Sequence, residues 1–236
     1  MTERTFRLFD KELDKLRTRL LKMGSVAFEQ VDCAFKALLD TDHELVKKVI
    51  DWEAKVDKYD VKIDRLCMRM LALQQPVAKD LRSVMTALAL NSILERIGDL
   101  AVNIAEHIEH LIDHQELVAS SPLPKMEPVI AEMLKDSFDA YLYEDVELAR
   151  RVAEMDNELD DLDRETFRYC IDRMKEDPSL IEPASHLMFL SRHAERLGDQ
   201  ATNIAVNVVF LVDAKIVKHK NWGQPVDAND LDDDAM

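Results

Sequence analysis

Glu95-Arg-Ile-Gly-Asp-Leu-Ala-Val-Asn-Ile-Ala105 returns one hundred residues later as Glu195-Arg-Leu-Gly-Asp-Gln-Ala-Thr-Asn-Ile-Ala205, identical at eight of eleven positions. Upstream, Phe138, Ala140, Leu142, Glu147, Leu148, Arg151 and Val152 answer Phe35, Ala37, Leu39, Glu44, Leu45, Lys48 and Val49 at an offset of 103. A long unit copied once is the mark of a tandem repeat. The connector near Pro178 and Pro183 is three residues shorter than its counterpart.

Each unit reads as three helices. Phe9, Leu13, Leu16, Leu20 and Met23 recur at spacings of three and four, predicting a first helix from Phe6 to about Asp40. Thr41 with Glu44 gives a capping-box pattern, with Thr41 as the expected N-cap of the second helix. Leu45, Val49, Trp52, Val56, Tyr59, Ile63, Leu66, Met70 and Leu73 form its expected core seam. A third helix beyond Pro76 carries Leu90, Leu94, Ile97, Ala101, Ile104, Ile108 and Leu111 to about Val118. Pro122, Pro124 and Pro128 then stop helix formation. The fold expected is all-α, a tandem repeat of two three-helix bundles with six long helices. Its parts are a first bundle over 1–118, a Pro-rich connector over 119–128, a second bundle over 129–220 and an acidic disordered tail over 221–236.

Composition agrees and narrows the function. The 236 residues include only four glycines, and 47% are hydrophobic, enough to fill helical cores. With 47 acidic against 31 basic residues the net charge is −16, a field that repels nucleic acid and anionic lipid. No stretch reaches the roughly 18 apolar residues of a membrane span, and the charged amino terminus is no secretory signal. Cys33, Cys67 and Cys170 show no paired spacing, which suits a reducing cytoplasm.

Acids recur at helical spacing as Glu53-xxx-Asp57 and Glu95-xxx-Asp99, then as Asp156-xxx-Asp160 and Glu195-xxx-Asp199, with Asp60 and Asp163 extending the pattern. Like charges four apart on a helix repel by a few tenths of a kcal/mol, so they call for solvent screening or a bound cation. All-oxygen donors suit magnesium, manganese or iron, and zinc also accepts carboxylates. Against the heptads these acids lie beside the seam, placing a site on the bundle surface. Gly98 and Gly198 cost about 1 kcal/mol each of helix propensity, which either a helix crossing or a metal cluster explains. His107, His110 and His114 form a stripe in the first half only and read as surface residues.

The run Gln75-Pro-Val-Ala-Lys-Asp-Leu-Arg82, with the two Glu-Arg-x-Gly-Asp and Asn-Ile-Ala segments, resembles the PhoU family of phosphate-uptake regulators over residues 5–220. The resemblance implies metal clusters held by E/D-xxx-D motifs. Carried over by position, the ligands are Glu53, Asp57, Glu95 and Asp99 for one cluster, and Asp156, Asp160, Glu195 and Asp199 for the other. Where the family often has His after the second Gly-Asp and an acid after Asn-Ile-Ala, this chain has Gln200 and Val206, which implies a second cluster that is smaller, weaker or absent. Also implied are repression of the phosphate-starvation response, a homodimer, and two partners: the phosphate sensor histidine kinase and the ATPase of the phosphate ABC transporter. The chain is then a non-enzymatic cytoplasmic adaptor, held at the inner face of the membrane through its partners. The rivals are a ferritin-like di-iron enzyme, whose Glu-x-x-His hallmark is missing here, and a metal-free helical scaffold. No glycine-rich phosphate cradle is present.

Overall fold

The computed structural model describes residues 3–217, and the expected acidic tail lies outside them. Six long helices carry the fold: α1 (Glu3–Asp40), α2 (His43–Gln74), α3 (Ala78–His107), α5 (Met126–Tyr143), α6 (Val146–Glu176) and α7 (Ile181–Asp213). A single-turn helix α4 (Gln115–Ala119) sits in the connector. The first three pack together, as do the last three, and α3 also lies directly on α7. Among the described residues there is no strand, and no helix is long and apolar enough to cross a membrane.

The stripes read from the sequence are the cores. Leu16, Leu20 and Met23 of α1 are fully buried, as are Leu90, Leu94 and Ile97 of α3. In α2 the seam drifts: Val46, Val49, Val56, Ile63, Leu66, Cys67 and Met70 are buried, while Trp52 and Tyr59 only half cover. Leu73 is 75% exposed, because in the last turn of α2 the covered face is the one carrying Met70 and Gln74. Trp52 stands at the rim, with the ammonium groups of Lys48 and Lys55 at 4.3 and 5.0 Å from its ring centroid.

The α1–α2 turn corrects the expected cap. Thr41 takes a left-handed φ of 57° and ends α1, and the Asp42 amide bonds back to the Ala37 carbonyl at 3.1 Å. Asp42, not Thr41, is the N-cap; its Oδ1 accepts from the amides of Glu44 at 2.9 Å and Leu45 at 3.3 Å. The second repeat builds the same turn. Glu144 has φ 54°, the Asp145 amide reaches the Ala140 carbonyl at 2.9 Å, and Asp145 accepts from the Leu148 amide at 3.0 Å. Fixing this aspartate in both halves sets the angle at which α2 and α6 return.

α3 is shorter than its apolar rhythm implied. It tightens after His107 into a 3-10 segment over Ile108–His114, where side chains three apart eclipse. Ile108 and Leu111 stay buried by that spacing, so the stripe continues although the α-helix does not. The prolines do not unwind the connector into a loop. Pro124 lies in a 3-10 turn over Leu123–Lys125, Pro128 sits in the first turn of α5, and Leu117, Val118 and Leu123 are buried.

α3 and α7 run antiparallel. Arg82 near the start of α3 donates through Nε to the Leu211 carbonyl at 3.1 Å, and His107 at its end meets His186 at 2.9 Å. Both contacts share one register, which brings Arg96 level with Leu197. The two copies of the repeated motif therefore meet at mid-height on the central helix pair.

Candidate metal centre

In each repeat the acids of the second helix face those of the third. Asp57 and Asp60 of α2 and Glu95 and Asp99 of α3 share one electrostatic environment. Burial, then Asp99 and Asp60, push the Glu95 carboxyl above its usual range. Burial and Asp57 do the same to Asp99. Asp60 is raised by burial and by Asp64, and is relieved by Asn91. The Asn91 amide, 1% exposed, donates to Asp60 Oδ1 at 2.7 Å and Asp64 Oδ1 at 2.9 Å, fixing both carboxylates against α3. Glu53 is exposed one turn before Asp57.

The second repeat shifts this balance. Glu195 is buried, not superficial as the heptads implied, and its Oε2 has no hydrogen-bond partner. Burial first, then Asp199, Asp163 and Asp160 drive its carboxyl up to about 7, with Arg192 pulling the other way. Arg192 Nη1 lies 3.2 Å from Glu195 Oε1 and 3.3 Å from Asp163 Oδ2. Ser191, the repeat-equivalent of Asn91, donates to Asp163 Oδ1 at 2.7 Å. Asp156 and Asp160 are half-buried, and Asp199 is exposed.

The two glycines mark helix crossings. A methyl group at Gly198 would stand 2.3 Å from Leu159 Cδ1 of α6, and one at Gly98 would meet Gln30 Oε1 at 3.2 Å and Val56 at 3.6 Å. Close packing thus accounts for both. At Gly198 the same approach draws Asp156 Oδ1 to 3.5 Å from that point, so the crossing also delivers an acid to α7.

The donor set fits a cation: four carboxyls per repeat, at least two held near one another against their own repulsion, and in Glu195 a buried oxygen without a donor. Thiols take no part. Cys67 and Cys170, themselves repeat-equivalent, are buried and pushed up to about 12 by burial. Asn91, Ser191 and Arg192 went unnamed in the sequence reading. The signal was available, since Asn91 and Ser191 precede Glu95 and Glu195 by the four residues that separate those from Asp99 and Asp199.

Fold and site together define a duplicated helical-bundle protein carrying paired carboxylate clusters. The family model described as PhoU domain matches residues 20–108 and again 123–208, and the chain belongs to the PhoU family. It is 34% identical over 229 residues to a Zymomonas mobilis protein named phosphate-specific transport system accessory protein PhoU homolog, covering 96% of this chain and 95% of that one. A namesake from Aquifex aeolicus is 37% identical over 211 residues, 89% of this chain and 96% of the relative. The crystal structure of PhoU from Pseudomonas aeruginosa superposes with a TM-score of 0.82 at 31% identity, covering 88% of this chain and all of that one. The phosphate transport system regulatory protein PhoU from Streptococcus pneumoniae gives 0.82 at 28% identity, with 89% and 99% covered.

Proposed function

We propose that this chain is an accessory protein of a phosphate transport system that represses phosphate uptake and the phosphate-starvation regulon when phosphate is plentiful. It acts without catalysis, as a cytoplasmic adaptor between the ATPase of the phosphate ABC transporter and the sensor histidine kinase. The observation that supports this reading is the pairing of family membership over both repeats with an acid cluster in each. Glu53, Asp57, Glu95 and Asp99, joined by Asp60, would hold the cation of the first repeat; Asp156, Asp160, Glu195 and Asp199 would hold that of the second. Such an ion supplies positive charge that bridges neighbouring helices and offsets the crowding of their carboxylates.

What the chain's own residues do is present those oxygens. Asn91 and Ser191 hold the acids of α2 and α6 against α3 and α7. The packed α3–α7 pair then lets a change at one bundle reach the other, which is the coupling an adaptor between two partners requires. A metal-free scaffold remains the second reading for the second repeat alone, because Arg192 already sets one positive charge between Asp163 and Glu195. The test is a deletion strain. Phosphate-regulated genes should stay on in rich phosphate, wild-type chain should restore repression, and an Asp57→Ala, Asp99→Ala chain should not. Normal repression in the deletion strain defeats the proposal.

A further inference from the structure

Four histidines that the repeat does not share, His107, His110, His186 and His193, are gathered at one end of the central helix pair. His107 closes α3, and His110 follows three residues later in the 3-10 segment, on the same face by its eclipsed spacing. Across from them, Glu182 and His186 lie one turn apart on α7. The His110 and His186 rings lie 6° from parallel with centroids 3.8 Å apart, and His107 Nδ1 is 2.9 Å from His186 Nδ1. His107 also stacks on Phe189 and His193, at 5.6 and 5.7 Å. Ligand atoms of His110, Glu182 and His186 all fall within 4.8 Å of one another.

We infer a second kind of metal site here, a two-imidazole, one-carboxylate centre for a divalent transition ion such as Zn²⁺, spanning the junction of the two repeats. Mixed nitrogen and oxygen donors select zinc and its neighbours over magnesium or calcium, which prefer oxygen alone. Bonds of about 2.1 Å to a tetrahedral ion set donors about 3.4 Å apart. His110 and Glu182 are exposed side chains, free to close that gap by rotamer changes. Because Nδ1 of His186 is taken by His107, Nε2 is left for the metal, and His107 supplies the outer contact that fixes a ligating imidazole. Three protein donors leave a fourth position to water or to a donor from a partner.

The centre is separate from the carboxylate clusters. His186 and Glu195 are nine residues apart on α7, about 13 Å along its axis. One ligand comes from the first repeat and two from the second, so an ion here ties α3's end to α7's beginning and stabilises the folded chain by mass action.

The experiment uses tag-free full-length chain, stripped by chelator and titrated with Zn²⁺ by calorimetry, with Co²⁺ absorption as the report on ligand type. The site predicts a Zn²⁺ equivalent that persists in Asp99→Ala, Asp199→Ala protein, gives the intense visible bands of four-coordinate Co²⁺, and raises the melting temperature. His110→Ala, an exposed position that leaves helical circular dichroism unchanged, should weaken that equivalent at least tenfold, and Glu182→Gln should weaken it less. A loss under tenfold in His110→Ala, or disappearance of the equivalent in the Asp99→Ala, Asp199→Ala protein, overturns the assignment.

Discussion

The two acid clusters occupy equivalent places in one duplicated fold, yet they balance charge differently. In the first, an amide holds the second-helix acids: Asn91 grips Asp60 and Asp64, and position 92 is Ser92. In the second, a hydroxyl replaces the amide, Phe167 stands where Asp64 was, and Arg192 reaches over Asp163 and Glu195. The scaffold is common to both, and differences at three positions give the second cluster an internal positive charge, Arg192, where the first has only the neutral side chains of Asn91 and Ser92.

This contrast can be broken or sharpened in four ways. The largest effect belongs to the buried amide. Asn91→Ala leaves two carboxylates without their shared donor and should cost about 3 kcal/mol, against about 1 kcal/mol for Ser191→Ala. Urea unfolding of the two variants measures the difference, and equal costs would mean that the acids of α2 are not held by Asn91. Next come the glycines. Gly198→Ala drives a methyl into buried Leu159 and should cost about 2 kcal/mol. At Gly98→Ala the milder contact with Gln30 is offset by the gain in helix propensity, about 1 kcal/mol, so melting should barely move.

Exchanging the arginine tests the contrast itself. Arg192→Ser should tighten Mn²⁺ binding at the second cluster about tenfold, or about 1.4 kcal/mol, and Ser92→Arg should loosen the first by a similar factor. Equilibrium dialysis reads both, and no change in either would show that Arg192 does not compete with a cation. A modest, pH-dependent effect falls on Glu195, whose carboxyl is raised to about 7 by burial and by Asp199, Asp163 and Asp160 against Arg192. A raised folded-state value means the native chain binds the extra proton, so this group favours folding below the ordinary glutamate value and loses that contribution as pH rises through about 7. Metal-free protein should therefore melt lower at pH 8 than at pH 5 in part through this residue. Glu195→Gln should recover about 1 kcal/mol at pH 8, roughly 2–4 °C, as differential scanning calorimetry would register.

The sequence showed most of the fold because helix stripes and a hundred-residue repeat are local or self-referential signals. Leu20, Met23, Leu94 and Ile97 are buried as their spacing required. Thr41 and Leu73 misled because caps and helix ends depend on where the chain turns: the left-handed φ at Thr41 passes the capping role to Asp42. The positions of the site acids on their helices were legible too. The depth of Glu195 was not, since it depends on α6 and α7 closing over Gly198. The histidine cluster was hidden for a stronger reason: His107 and His186 stand 79 residues apart, and only the antiparallel docking of α3 on α7 joins them.

That docking has a consequence for how the halves evolve and operate. Two separate copies of the half-length chain would associate by mass action, and they would carry identical sites. Joined through a short, packed connector, the halves meet at a fixed local concentration of the millimolar order that tethers impose, so dilution cannot part them. Each half is also free to differ from its twin, as Arg192 on one side and Ser92 on the other do.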